Sequence, residues 1–177
     1  MSDAAFNAGD ATTPAATTLV YAGFWRRAIA SVIDGLIFFV PFFIAFLLLF
    51  PEYFTLDGPP PPDARFVAYQ AIGLIAGTAY KVGFEGSRYQ ATVGKYIIKL
   101  KVTDLDGARV SYATAFKRAW FQWLPGVAAL VDTLMGIQVL QWVATVAFIV
   151  SCLFVPFTMQ KQALHDKTAG CLVLRRA

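Results

Sequence analysis

The sequence predicts an all-α integral membrane protein: a small bundle of four membrane-spanning helices, with a short cytoplasmic β-hairpin and an interfacial helix between spans two and three. Three observations predict this fold class. Hydrophobic residues make up 58% of the 177 residues, and only 15% are charged, against about a quarter in soluble domains. The apolar residues form long runs, and the basic residues flank those runs.

The composition also excludes other classes. The net charge of +4 does not predict a nucleic-acid partner, because the basic residues are spread around apolar runs and form no stripe within a known binding motif. Two cysteines are too few for a disulfide framework. The first 18 residues are small, polar and acidic, so they predict a disordered cytoplasmic tail ahead of a membrane domain over residues 19–177.

The four spans are predicted at about residues 25–50, 66–81, 119–134 and 137–158. A crossing takes about 20 helical residues, and the first run is long enough to tilt. Pro41 lies inside it and is expected to kink it. The second run is short, with Arg65 and Lys81 able to snorkel from its ends. Residues 119–160 are 42 positions with one charge, Asp132, and predict two spans joined by a turn near residues 133–138.

The basic residues predict the orientation. Residues 81–118 carry eight Lys and Arg and the segment after residue 158 carries four, whereas the proline loop carries one, Arg65. Basic flanks face the cytoplasm, so both termini and the middle segment are expected there. Two ends on one side require an even number of crossings, which favours four.

The polar middle segment is expected to hold two elements. Apolar and polar residues alternate around Ile98, Leu100 and Val102, and Asp106-Gly107 follows as a turn signal, which predicts a β-hairpin. The next stretch, residues 112–124, is amphipathic and rich in Trp, so it is expected to lie at the membrane interface.

Asp34 is the unusual residue of the first span, because it follows Arg27 by two helical turns on the same face. A charge at that depth costs about 2.5–3.5 kcal/mol even on lenient scales. Two interpretations stay open: Asp34 anchors the helix bundle through hydrogen bonds, or it binds a proton or cation during transport.

Three further patterns in the sequence bear on function. Gln70, Gly73 and Gly77 share one helix stripe and predict a packing seam. Lys95, Lys99 and Lys101 could attract anionic lipid headgroups. Gly94-Lys95 lacks the other residues of a phosphate loop, and a lone His165-Asp166 pair is too small for a metal site. We therefore expect no enzyme, no metal and no cofactor.

The chain resembles the RDD family of bacterial membrane proteins. The resemblance covers about residues 20–176 and rests on "AGFWRRAIASVIDGLI", "ATVGKYIIKLKVTDLDG" and "QALHDKTAGCLVLRR". It implies that Arg27, Asp34 and Asp166 are the arginine and two aspartates of the family name, and it implies the bacterial inner membrane and transport of ions or small ligands. Cys171 stands where the family would have Thr.

These expectations combine into one hypothesis. Arg27, Asp34, His165 and Asp166 would converge into a polar cluster at the cytoplasmic leaflet, and the protein would transport cations in exchange for protons, or a small ligand, as a homo-oligomer. The alternative is a non-transporting scaffold or accessory subunit that binds another membrane protein or anionic lipid.

Overall fold

A computed structural model describes residues 20–56 and 58–176, so the tail predicted over residues 1–18 lies outside the described residues. The described chain is mostly helical and includes a two-stranded sheet. Its elements, in order, are α1 (Phe24–Leu49), α2 (Ala64–Glu85), α3 (Val93–Ile97), β1 (Leu100–Asp104), α4 (Tyr112–Met135), α5 (Leu140–Leu153), α6 (Leu164–Ala169) and β2 (Cys171–Arg175), with short 3-10 turns at Pro51–Phe54 and Val155–Phe157.

Within the described residues, two helical segments are long and apolar enough to cross a membrane: α1, and the segment Leu140–Phe157 that begins with α5. Ala30 is the only buried residue of α1, and large apolar side chains such as Leu36, Phe39 and Leu48 are exposed on its surface. A soluble protein does not leave so large an apolar surface in water. These helices indicate a membrane protein.

Hydrogen bonds from polar side chains set the ends of the other long helices. Asp63 caps α2 and Ser111 caps α4, each accepting a bond from a backbone N–H in the first turn. Gly136 ends α4 in the left-handed conformation. Asp132 then accepts bonds from the backbone N–H groups of residues 140 and 141, at 3.1 and 2.8 Å, and caps α5. The turn predicted near residues 133–138 therefore lies where α4 meets α5.

The interfacial helix and the third span are one element. The sequence predicted an interfacial helix over residues 112–124 and a separate span from residue 119, but α4 runs unbroken from Tyr112 to Met135 with Pro125 inside it. It packs against α2 on one side and α5 on the other. The amphipathic pattern marks the end of a long packed helix, because its inner face is covered by α2 and α6.

Helix α1 approaches α2 through aromatic rings. The phenyl ring of Phe42 lies 3.1 Å from the position of a Cβ added to Gly73, and the ring of Phe38 lies 3.5 Å from that of Gly77. The seam predicted at Gly73 and Gly77 thus receives α1 side chains and does not let the two backbones touch. Gln70 faces α4, where its Oε1 accepts a bond from the Thr133 hydroxyl at 3.1 Å.

The sheet corrects the predicted β-hairpin. Strand β1 pairs antiparallel with β2 at the C-terminal end of the chain, from Leu100 opposite Arg175 to Asp104 opposite Cys171. The turn at Asp106-Gly107 exists, but its return arm makes only one bridge, between Thr103 and Arg109. The hairpin is wrong because β1 is mostly buried and takes the apolar, buried strand β2 as its partner along its whole length.

The small core of the molecule lies around this sheet. Ala22, Leu100, Val102, Cys171 and Val173 are buried together, with Ala30 and Val110 completing the cluster. The chain just before α1 pairs with β2, since the Ala22 N–H donates to the carbonyl of residue 173 at 2.8 Å. The sheet therefore holds the segment just before α1 against the C-terminal strand β2.

Candidate functional site

A buried ion pair ties the start of α1 to α6. The Arg27 guanidinium binds Asp166, whose carboxylate is completely buried. The same carboxylate accepts a bond from the Ala163 N–H at 3.1 Å, which holds it at the first turn of α6. Arg27 also donates from Nε to the carbonyl of Ala22 at 3.3 Å, so its side chain is held at both ends.

The ion pair continues into a chain of buried charges that joins five helices. Arg118 of α4 donates from Nε to Asp166 and from Nη1 to Glu85, each at 2.6 Å. Lys95 of α3 binds the other oxygen of Glu85. All four of these side chains are less than a tenth exposed, so their mutual bonds offset part of the cost of lost hydration. The buried network therefore consists of Arg27, Asp166, Arg118, Glu85 and Lys95.

The protonation states follow from burial and from the neighbouring charges. Burial alone would raise the pKa of Asp166, but Arg118 and Arg27 hold the pKa of that carboxyl well below its ordinary value, so it is ionised. Burial lowers the pKa of His165 to about 3 despite the adjacent Asp166, so the imidazole is neutral at physiological pH. Its Nε2 lies 3.4 Å from the Asp166 carboxylate. Burial lowers the pKa of Lys95, and the nearby positive charge of Arg118 lowers it further. The negative charge of Glu85 acts in the opposite direction.

Asp34 sits in a separate hydrogen-bond cradle. Its Oδ1 accepts bonds from the Tyr80 hydroxyl at 2.8 Å and from the Gly94 N–H at 2.7 Å, and its Oδ2 accepts one from the Thr92 hydroxyl at 2.5 Å. The Tyr80 oxygen in turn accepts the Val93 N–H at 3.0 Å. These three donors replace the hydration that a carboxylate in an apolar helix would lose.

The cradle forms because α3 comes very close to α1 at Gly94. A Cβ on Gly94 would lie 2.2 Å from the carbonyl oxygen of Ala30 and 2.9 Å from the carboxyl carbon of Asp34. Only glycine permits this contact. The "TVGK" stretch therefore holds a carboxylate of its own chain with backbone and hydroxyl groups, and Lys95 follows it into the buried network.

A cavity of about 530 Å³ lies between the long helices, with Asp34 in its wall. Tyr80, Lys81, Thr92 and Lys95 join Asp34 at one end. The rest of the wall is mostly apolar and includes Phe38, Phe39, Phe42, Leu74 and Phe148. Ligand-binding pockets share this combination of size, apolar lining and a few convergent polar groups. The cavity is the candidate functional site.

The predicted cluster is only partly assembled. The structure brings Arg27, His165 and Asp166 together, whereas Asp34 is bound by α2 and α3. Lys95, expected at the lipid surface, is 7% exposed and bound to Glu85, and Lys99 and Lys101 remain at or near the surface. Lys95 is the residue shared by the two regions, because it belongs to the buried network and also lines the cavity beside Asp34.

Sequence reasoning missed Glu85, Arg118, Tyr80 and Thr92. Arg118 is one of the eight basic residues that predicted a cytoplasmic segment. In the structure its side chain is buried, whereas the neighbouring Lys117 is exposed. Glu85 carried a signal, since an acidic residue one helical turn after Lys81 continues the stripe of Gln70, Gly73 and Gly77. Tyr80 and Thr92 carried no signal, because their partner is 46 and 58 residues away in sequence.

Comparisons with known proteins give a family and two similar proteins. The model of the RDD family matches residues 21–170. Uncharacterized protein YckC of Bacillus subtilis (strain 168) is 28% identical over 152 residues, which span 86% of this chain and 83% of that protein. Uncharacterized protein YxaI of the same organism is 28% identical over 126 residues, which span 64% of this chain and 83% of that protein. No solved structure matches the chain.

Proposed function

The chain belongs to the RDD family, and from this premise we propose that it is a membrane protein that binds a small ligand between its helices, as a carrier for that ligand. One observation carries the proposal: the cavity has charged and hydroxyl groups at one end and phenyl rings along the rest of its wall. If this region served only to pack the helices together, side chains would fill the space, because protein interiors are close-packed.

The proposal includes the topology in which α1, α2, α4 and Leu140–Phe157 all cross the bacterial inner membrane with both termini cytoplasmic. The buried network supports it, because it lies at one end of all these helices, where the basic residues of the middle segment and of the C-terminal segment gather. A homo-oligomer is part of the same proposal, since one copy of these helices is thin for a pathway across the membrane.

Charge favours a small ligand over a cation as cargo. In the described part of this region, four cationic side chains stand against three carboxylates; they are Arg27, Lys81, Lys95 and Arg118, and Asp34, Glu85 and Asp166. The Asp34 oxygens already accept three bonds, which leaves little coordination capacity for a metal cation. Cation and proton exchange is the second candidate, favoured by the presence of a carboxylate in the cavity wall.

Filling the cavity is the direct test. Gly35 lines the cavity and has no atom within 4 Å of an added Cβ, so Gly35→Phe can place a ring there without moving the backbone. Gly83 has the same open surroundings in α2 but is not part of the cavity wall, so Gly83→Phe is the matched control. Both proteins would be purified beside the wild type and analysed by native mass spectrometry for co-purifying small molecules.

We expect the wild type and Gly83→Phe to retain a bound small molecule and Gly35→Phe to lose it. Equal retention by all three proteins would contradict the proposal. A proteoliposome assay of cation-driven pH change separates the second candidate: flux in the wild type that Asp34→Asn abolishes would favour cation and proton exchange instead.

A further inference from the structure

Two antiparallel helix segments give the cavity its length. On α1 its wall runs from Ser31 to Phe42, and on α2 it runs back from Lys81 to Gly73. At about 1.5 Å of rise per residue, these segments are about 16 Å and about 12 Å long. The charged residues lie at the same end on both helices, and the ring of Phe42 meets Gly73 at the other. The cavity is therefore an elongated space with one charged end.

The cavity reaches the exposed surface of α1. Ser31, Gly35 and Phe39 line it and are also exposed on the surface of α1, the helix whose apolar side chains face outward. A ligand can therefore reach the cavity sideways from the bilayer. Such a route suits a molecule that is already dissolved in the membrane by an apolar chain.

One residue that lines the cavity has an unpaired hydrogen-bond donor. Trp123 lines the cavity from α4, and its buried indole N–H has no hydrogen-bond partner among the described residues. Buried donors are nearly always paired, so an acceptor oxygen is expected there. The ammonium groups of Lys81 and Lys95 line the same cavity, and the excess of positive charge in this region favours an acceptor that carries a negative charge.

We propose that the ligand is a single-chain amphiphile with a small anionic headgroup, a carboxylate or a phosphate, whose chain lies along the phenyl rings and whose headgroup meets Lys81, Lys95 and the Trp123 indole. This inference rests on the proposed ligand-binding function and names the chemical class of its ligand. Lys81 and Lys95 attract the charge, Trp123 donates one bond, and the rings of Phe38, Phe42 and Phe148 cover the chain.

Binding of radiolabelled dodecanoate to the protein in phosphatidylcholine nanodiscs tests the class. We expect saturable binding that dodecyl phosphate displaces and that dodecanol and dodecyltrimethylammonium do not. If dodecyl phosphate displaces the label much better than unlabelled dodecanoate does, the source is a phosphorylated lipid; the reverse order indicates a fatty acid. Displacement by dodecanol as effective as displacement by either anion would overturn the anionic headgroup and leave the ligand-binding function standing.

Two variants test the named contacts. Lys81→Met keeps the length of the side chain and is expected to weaken dodecanoate binding roughly tenfold or more, the size of a hydrogen bond to a charged group. Trp123→Phe removes the donor but keeps a ring, and about a fivefold loss is expected from one neutral bond. Trp123→Phe should leave the melting temperature of the ligand-free protein near that of the wild type. Lys81→Met should lower it, because the Lys81 charge interacts with Glu85 of the buried network.

Three results would overturn the inference. One is unchanged affinity in both Lys81→Met and Trp123→Phe. Another is dodecanoate binding that Gly35→Phe leaves intact, because the label would then lie outside the cavity. The third is the absence of saturable binding for both anions in a wild type that still retains a small molecule after purification, which would show a ligand of another class and spare the proposed function.

Discussion

Replacing Asp166 by Asn should break the centre of the buried network. The carboxylate binds Arg27 and Arg118, and both guanidinium groups are buried or nearly so. Asn keeps the size of the side chain but removes its charge, so Arg27 is left without its acidic partner. Removing one partner of a buried ion pair costs about 3–5 kcal/mol. For a chain of this size that lowers the melting temperature by roughly 6–20 °C.

Thermal unfolding of the detergent-solubilised protein, followed by far-ultraviolet circular dichroism, measures this loss. Asp106→Asn is the matched control, because Asp106 is exposed in the turn after β1 and its loss should stay within about 0.5 kcal/mol. The double variant Arg27→Gln with Asp166→Asn should lose less than the sum of the two single variants, since they share one interaction. An Asp166→Asn melting temperature equal to that of Asp106→Asn would show that the Asp166 ion pairs do not stabilise the fold.

Three further predictions concern packing, pH and capping. Gly94→Ala should cost about 1–3 kcal/mol, because its Cβ collides with the Ala30 carbonyl, while Gly83→Ala should cost nothing by denaturant titration; equal midpoints would contradict this. His165 has a pKa of about 3 when folded and 6.5 when unfolded, so the unfolded chain binds the proton first as pH falls. The free energy of unfolding should then drop by about 2 kcal/mol between pH 7 and pH 5. His165→Gln should remove this drop, and an equal drop in that variant would contradict the prediction. Asp132→Ala should cost about 1 kcal/mol by removing the cap of α5, and urea unfolding with an unchanged midpoint would count against it.

The long helices could be predicted because their signals are local. The apolar run around Asp34 and the 42-residue stretch after Arg118 contain the information for α1, α5 and most of α4. The observed ends of α1 lie within one residue of the predicted ones, whereas α4 begins seven residues before the predicted third span. Gly136 marked the turn between α4 and α5 for the same reason. What the apolar runs cannot say is whether α2 and α4 cross the membrane, because both carry polar and charged residues at one end.

The sheet was mispredicted because strand pairing is not local. The alternation at Ile98, Leu100 and Val102 correctly indicated an extended segment, and Asp106-Gly107 correctly indicated a turn. The partner, however, is a strand about 70 residues later, in the C-terminal segment whose basic residues predicted only a cytoplasmic location. The mostly buried β1 pairs with β2 because β2 is apolar and buried.

The site was half predictable. The resemblance to the RDD family pointed to Arg27 and Asp166, and these two residues are in contact. Asp34 was correctly identified as a residue that needs partners, but its partners come from Tyr80, Thr92 and the backbone of Gly94, where no single position announces the contact. The cavity could not be predicted at all, because it depends on how α1 lies against α2.

The position of the bound alkyl chain is the decisive measurement for an anionic amphiphile that lies in the cavity. A dodecanoate that carries a photoreactive diazirine near its methyl end would be irradiated with the protein in nanodiscs, and the modified residues would be identified by peptide mass spectrometry. We expect adducts at the ring end of the cavity, on Phe38, Phe42 or Phe148, that excess dodecanoate prevents. Adducts spread over lipid-facing residues such as Leu48 and Trp142, and insensitive to competitor, would contradict it.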